Sequence, residues 1–351
     1  MFRLHFDWWL VLPIFFLSIT GLLTLRGISP EFVPAQIGFM FAAILAFLGV
    51  TLVGHRLIFS FHWTIYVLCI IFLITPFFLG VRSRGAHRWI QVSETFSIQP
   101  SELVKPLLLA TFVQLAVSAR RLRPLQLISV GLLPIAIVFR QPDLGTALVI
   151  LVGWFTVFLS KVPIKVVLFS FLLLLVLIIP IYQFLLLDYQ KDRLRTFINP
   201  YSDPLGKGYH VIQSLIAVGS GGLFGRGLGH GPQSNLRFLP ERHTDFIFAS
   251  IGESFGFVGS SVIVLLFLVL VRRIYQVSQI SSDPAASLYC LATVALLGFQ
   301  ICVNIGMNLG LTPVTGITLP FLSYGGSSLL SVSVMLGLIN SISTSRHPAL
   351  S

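Results

Sequence analysis

Residues 239–271 read LPERHTDFIFASIGESFGFVGSSVIVLLFLVLV, and this stretch decides the class of fold. Its later part is an apolar run long enough to cross a bilayer, which takes about 20 residues. Its opening segment, Leu239-Pro-Glu-Arg-His-Thr-Asp-Phe-Ile-Phe248, gathers Glu241, Arg242, His243 and Asp245 at the entrance to that run. Only 10% of the chain is charged, against roughly a quarter of an ordinary soluble domain. An ionisable group held near membrane depth is costly and marks a functional site. Asp245 is the leading candidate.

Working outward, 55% of the 351 residues are hydrophobic and the mean hydropathy is +0.92, as in polytopic membrane proteins. Ten stretches are candidate spans, at about 8–25, 32–53, 57–79, 101–118, 125–140, 144–160, 164–187, 245–271, 285–310 and 320–344. The expectation is an all-α polytopic membrane protein of about ten transmembrane helices, one integral domain over 1–351. Several stretches are short for a span, and the two joined by Arg140-Gln-Pro-Asp143 could form one broken hairpin. The amino terminus leads into an apolar stretch without a small-residue cleavage site, so it reads as an uncleaved first span. Cys69, Cys290 and Cys302 lie in apolar runs and read as small buried hydrophobes, with no disulfide framework or metal spacing.

An even number of spans places both termini on one side. With the amino terminus inside, cytoplasmic segments carry Arg3, Arg56, Arg120, Arg121, Arg123, Lys161, Lys165, Arg272, Arg273 and Arg346. The short external loops carry only Arg26 and Arg140, which is the positive-inside pattern. Two longer external segments, 81–100 and 188–244, hold Arg82, Arg84, Arg88 and seven more Lys or Arg. Long loops translocate largely regardless of charge, and basic residues outside suit an anionic ligand there. The net charge of +11 has no soluble basic domain to carry it, which argues against nucleic acid and for anionic headgroups or a phosphate-bearing lipid.

Segment 188–244 forms the large extracytoplasmic loop between spans seven and eight. Within it, Val211, Ile212, Leu215 and Ile216 recur at helical spacing, predicting an amphipathic helix at the membrane surface. Seven glycines between Gly219 and Gly231 match no nucleotide fingerprint; they read as a flexible turn or as a mobile loop over a lipid-substrate cavity. Spans four, six and eight share a device: a proline followed by a carboxylate, in Gln99-Pro-Ser-Glu102, Gln141-Pro-Asp143 and Leu239-Pro-Glu241. Helix capping accounts for each singly, whereas their common side allows the three acids to converge.

The candidate residues on that face are Trp89, Glu102, Lys105, Asp143, Glu241, Arg242, His243 and Asp245. Glu102 and Lys105, three apart, share a helix face and can pair; the pair is simple neutralisation, or Lys105 is a point charge for a diphosphate. Arg242 suits a headgroup or substrate contact, and His243 lacks companions at metal-ligand spacing. Gln300, Asn304 and Asn308 make a polar stripe suited to interhelical hydrogen bonds or to lining a cavity. Pro320-Phe-Leu-Ser-Tyr-Gly-Gly-Ser-Ser328 interrupts the last span with small and polar residues, for close packing or for irregular backbone facing a wet cavity.

Six motifs stand in a telling order: Gly85-Ala-His-Arg-Trp-Ile90; Gln99-Pro-Ser-Glu102 with Lys105; Gln141-Pro-Asp-Leu-Gly-Thr146; Gln213-Ser214 with Gly219-Ser-Gly-Gly222; 239–248; and Pro320–Ser328. Together, over almost the whole chain, they resemble the SEDS (shape, elongation, division and sporulation) family of peptidoglycan glycosyltransferases. The Glu-Arg-His-Thr-Asp form and the short termini resemble its elongation members. His210 and Pro232 depart from the glutamine and threonine expected there, a matter of loop detail.

The resemblance implies a bacterial cytoplasmic-membrane enzyme, both termini inside, that polymerises lipid II into β-1,4 glycan on the outer face. The family's essential aspartate maps onto Asp245, a general base for the acceptor hydroxyl. Lys105 and nearby arginines would neutralise the departing diphosphate, with Glu102 orienting Lys105. Arg88, Trp89, Asp143, Glu241, Arg242 and His243 complete the expected substrate contacts. A divalent cation (Mg or Mn) is a conceivable cofactor. A class B penicillin-binding protein and other elongation-complex membrane proteins are implied partners. The competing reading is a flippase for the same lipid-linked precursor, which predicts ionisable residues through the membrane midplane and on both faces.

Overall fold

The computed structural model describes residues 5–83, 86–91, 97–118, 124–163, 165–168, 188–204, 206 and 208–345, with isolated residues between 172 and 184. Most of the seventh candidate span, and Arg3, Arg84, Arg120, Arg121, Arg123, Lys207 and Arg346, lie outside them.

Apolar runs become helices where expected. These are α1 (Trp8–Ile28), α2 (Val33–Val53), a short α3 (His55–Ser60), and α4 (His62–Ile74) extended past Thr75 by α5 (Pro76–Leu79). After them come α6 (Pro100–Leu103), α7 (Lys105–Ser118), α8 (Pro124–Arg140), α9 (Leu144–Leu159) and α10 (Asp188–Ile198). The rest are α11 (Tyr209–Ser220), α12 (Pro232–Asn235), α13 (Ile247–Ile280), α14 (Pro284–Asn308) and α15 (Gly326–Thr344). Among the described residues six helical stretches are long and apolar enough to cross a membrane, and three shorter apolar helices accompany them. The pair at Gln141 is an antiparallel hairpin: Trp154 Nε1 donates to Leu127 O at 3.1 Å. The large side chains Phe41, Leu68, Ile71 and Phe78 face outward, as lipid contact requires.

The mainly helical reading holds, with one addition and two corrections. Among the described residues β1 (Val81–Ser83), β2 (Ala86–Gln91) and β3 (Ser97–Ile98) form a small antiparallel sheet in that order. Its alternation is too short to register beside the long apolar runs. Cys302 is exposed on α14, unlike the buried Cys69 and Cys290. The glycines near residue 221 serve close approach: α13 breaks at Gly256 (φ 68°, ψ −163°), and the chain after α11 lies against the break. There Phe257 N donates to Gly222 O and Gly227 N to Ser254 O. A Cβ on Gly221 would stand 1.9 Å from Gly252 O.

α15 packs along α2 through small residues, with Gly337 seated where a Cβ would be 2.8 Å from Phe47 O. At one end of the bundle Asp7, the N-cap of α1, takes Arg273 Nη2 at 2.8 Å and Ser343 Oγ at 2.6 Å. Asp7 N donates to Asn340 Oδ1, so the first and last described helices begin and end on the same side. Beside them the His55 ring meets Ser341 Oγ at 3.1 Å and Asp283 at 4.0 Å. The predicted acidic helix entries occupy the opposite end.

Candidate active site

Two of the three proline-preceded acids share one network. Pro100 starts α6 after an extended Gln99, and Asp143 caps α9 by accepting Thr146 N at 3.3 Å. Asp143 Oδ2 also accepts Gln99 Nε2 at 2.7 Å and Ser101 Oγ at 3.1 Å. Glu102 Oε1 accepts Thr146 Oγ1 at 3.2 Å, and its other oxygen holds Lys105 Nζ at 2.7 Å. Lys105 is 2% exposed, so the attraction is little screened and its desolvation is compensated only while the pair is whole. From β2, Arg88 places Nη1 3.7 Å from Asp143 Oδ1. Its Nε is buried and has no hydrogen-bond partner among the described residues. Trp89, next on the strand, is half-buried. The sheet thus delivers a cation to the mouth of α9.

Asp245 is held by its backbone. The carbonyl of Asp245 accepts Asn304 Nδ2 and Asn308 Nδ2, both at 3.1 Å. Asn304 Nδ2 also reaches Ile317 O at 2.7 Å, Gln300 Nε2 reaches Thr318 O at 2.9 Å, and Asn308 Oδ1 accepts Ala249 N at 2.9 Å. The polar stripe therefore fastens the entrance of α13 to the irregular segment 315–319. Ser323, whose Oγ accepts Leu319 N at 2.8 Å, and Tyr324 tie that segment to the turn before α13: Ser323 Oγ donates to Thr244 O at 2.7 Å, and Tyr324 N to His243 O at 2.8 Å. The Asp245 side chain stays half-exposed, with Oδ2 3.5 Å from where a Cβ on Gly316 (φ 76°) would stand. Glycine there leaves room beside the carboxylate.

The two groups adjoin. Ser327 Oγ accepts Gln99 N at 3.0 Å, and Ser328 Oγ lies 2.7 Å from Thr318 Oγ1. Thr315 O receives Arg193 Nη1 at 3.2 Å and lies against Gly145, where a Cβ would be 2.9 Å away. One face thus carries Asp245, Asp143, Glu102, Lys105 and Arg88, with Arg193 at its border.

Other expected residues behave differently. Glu241 accepts Thr244 Oγ1 at 3.2 Å within its own turn and has φ of 51°, a conformation costly for a residue with a side chain. The convergence seen is that of Glu102 with Asp143. Arg242, expected on the substrate, donates Nε and Nη2 to Ile28 O at 3.2 and 3.1 Å and is 8% exposed. It closes the end of α1, because a helix end leaves carbonyls that need donors. His243 stacks on Phe32 with ring centroids 4.7 Å apart, and Tyr324 stands 4.8 Å from the same ring. Among the described residues no three His, Cys, Asp or Glu side chains gather as a metal-holding group. Arg193 and Gly316 were not singled out from the sequence, and Thr146 and Ser327 stood there only inside longer motifs. They act through contacts many residues away and leave no local periodic signal; only the small-residue run 325–328 hinted at one of them.

The chain from residue 3 to 348 matches the family model of the FtsW, RodA and SpoVE cell cycle proteins. It is 40% identical over 287 residues to the peptidoglycan glycosyltransferase MrdB of Escherichia coli (strain K12), covering 80% of this chain and 77% of that protein. It is 37% identical over 297 residues to the stage V sporulation protein E of Bacillus subtilis (strain 168), covering 80% of each. Among solved structures it superposes with a TM-score of 0.84 at 31% identity on a chain from a peptidoglycan synthase complex that coordinates polymerization and crosslinking, covering 99% of this chain and 100% of that one. The rod shape determining protein RodA of Thermus thermophilus gives a TM-score of 0.73 at 26% identity, covering 99% of each chain. The match over nearly the whole chain and the shared scaffold agree, and the chain belongs to the FtsW/RodA/SpoVE family of cell cycle proteins.

Proposed function

We propose that this chain is the elongation-type peptidoglycan glycosyltransferase of its cell, polymerising lipid II at the outer face of the cytoplasmic membrane. The observation that carries the reading is Asp245: a half-open carboxylate on a backbone fixed by two asparagines, beside a face that carries buried and half-buried cations.

Glycan extension needs an acceptor hydroxyl to attack the anomeric carbon of a donor whose leaving group is a diphosphate. Asp245 removes the hydroxyl proton as the new C–O bond forms. Lys105, paired with Glu102, and Arg88, whose Nε has no partner among the described residues, stabilise the charge on the departing diphosphate. A diphosphate leaves without protonation, so a second carboxylic acid is not required, in contrast to glycoside hydrolysis. One in-line displacement inverts the α-linked donor to a β product. Glu102 and Asp143 hold the cations in place. Among the described residues no three His, Cys, Asp or Glu side chains gather, so a divalent ion here would rest on one or two carboxylates and the diphosphate itself.

The positive-inside distribution supports a cytoplasmic Asp7 end and an outer Asp245 end, the side on which this reading puts the lipid II sugars. A class B penicillin-binding protein is the natural partner, since the superposed chain comes from a complex that couples polymerization to crosslinking. Transport would call for ionisable side chains through the middle of the bundle and on both faces alike. Among the described residues the buried ones gather at the Asp245 end, with Glu102, Lys105, Asp143, Arg242 and Glu253 there against Asp7 and His55 at the other.

The test is polymerisation of purified lipid II by the purified chain, with and without its penicillin-binding partner. Asp245→Asn should insert and fold normally and make no polymer. Near-normal glycan from that variant would sink the assignment of the base.

A further inference from the structure

Glu253 has no part in the reaction as written, yet it is an acid with 0% exposure, on the second turn of α13 just before the break at Gly256. A carboxylate there is tolerable only if its oxygens are filled. They are: Oε1 accepts Gln233 N at 2.8 Å, and Oε2 accepts Ser234 N at 2.9 Å and Ser234 Oγ at 2.6 Å. Gly231 packs so tightly on this group that a Cβ would stand 2.3 Å from Glu253 Cδ.

From those contacts the bonds lead to the segment that ends at Asp245. Gln233 O accepts Leu239 N at 3.0 Å, at the start of 239–245. Ser234 Oγ lies 3.2 Å from Ser250 Oγ, whose hydroxyl donates to Arg242 O at 3.3 Å. Glu253 thus governs the start and the middle of the segment, while Asn304 and Asn308 hold its far end.

We propose that Glu253 is a positioning residue for the glycosyl transfer: its carboxylate sets residues 232–242 against α13 and so aims Asp245 at the acceptor hydroxyl. The inference rests on Asp245 being the base. Glu253 itself touches no reacting atom. Glu253→Gln keeps the volume but turns an NH2 toward N–H and O–H donors, so part of the triad must open. A displacement of 1 Å at a reacting group costs about a hundredfold in rate, so kcat should fall by roughly tenfold to a hundredfold, with KM within about twofold.

The experiment uses the purified full chain and lipid II, with steady-state polymerisation and amide hydrogen exchange read on the same samples. Glu253→Gln should lower kcat at constant KM and speed exchange across 232–246. Gly231→Ala, which forces the carboxyl to move, and Ser234→Ala, which removes one donor, should shift both readouts the same way by less. They carry the test if Glu253→Gln does not fold. Unchanged kcat with faster exchange, or a raised KM at constant kcat, would overturn the proposal. Activity surviving in Asp245→Asn would defeat the base reading instead. The exchange measurement would still report whether Glu253 orders the segment.

Discussion

The side-chain amide of Asn304 holds the backbone of Asp245, donating to its carbonyl at 3.1 Å while also reaching Ile317 O at 2.7 Å. One residue thereby fixes the spacing between the proposed base and the irregular segment that borders it. Asn304→Ala strands a buried acceptor, worth about 1–3 kcal/mol, although Asn308 still serves Asp245 O. The expected outcome is lower thermal stability and kcat reduced by roughly tenfold, read by melting and by glycan length on gels. Unimpaired chain growth would show that this clamp does not set the base.

Glu102 and Lys105 form a buried pair, so the three ways of breaking it should separate structure from chemistry. Glu102→Gln or Lys105→Met alone leaves an uncompensated charge and should cost about 3–5 kcal/mol, whereas the double variant should recover much of that loss. If Lys105 meets the diphosphate, the double variant will melt near the parent yet polymerise poorly. A stable and active double variant would reduce the pair to neutralisation.

His55, outside the membrane spans, gives the bundle a pH dependence. Burial lowers its pKa from the ordinary 6.5, with Asp283 pulling upward and Arg56 downward. A lowered value means that the folded state prefers the neutral ring while the unfolded chain binds the proton more readily. Stability from this site is therefore complete above about pH 6.5 and is lost as the pH falls through the depressed folded value. Melting temperature in detergent should decline in mild acid, and His55→Gln should flatten that part of the profile. Equal slopes in both proteins would remove His55 as the cause.

The glycine run offers a paired control. Gly219, inside α11, has open space around it, so Gly219→Ala should be neutral or stabilising by about 0.5–1 kcal/mol. Gly221→Ala should destabilise by about 1–3 kcal/mol, since its Cβ meets the Gly252 carbonyl. Two alanines two residues apart with opposite effects would distinguish close approach from flexibility.

Much of this was legible in the sequence because membrane helices announce themselves locally. The expected spans 8–25, 32–53 and 144–160 became Trp8–Ile28, Val33–Val53 and Leu144–Leu159. The Glu102–Lys105 pair followed from a three-residue offset. Arg242 shows the limit: its charge was plain, but its partner, Ile28 O, lies 214 residues away. The amphipathic helix formed, yet it buries Val211, Ser214 and Ala217 and leaves Leu215 and Ile216 exposed, because Ser214 turns inward to donate to Asn308 O. Such choices belong to tertiary packing and leave no period in the chain.

α15 is the least apolar of the six long spans, at mean hydropathy 1.4, and the most enclosed, with 83% of its window buried. Translation delivers it after every other described helix. Lipid alone rewards such a composition poorly, so its lodging depends on the slot along α2 and on the tie between Asn340 and Asp7. Before it arrives, Gln99 N has no Ser327 hydroxyl to meet, and the segment leading into α15 cannot fasten Thr244. A chain without this helix would therefore carry the acids of α6 and α9 and the turn before α13 without the bonds from Ser327 and Ser323 that fix Gln99 and Thr244 in place.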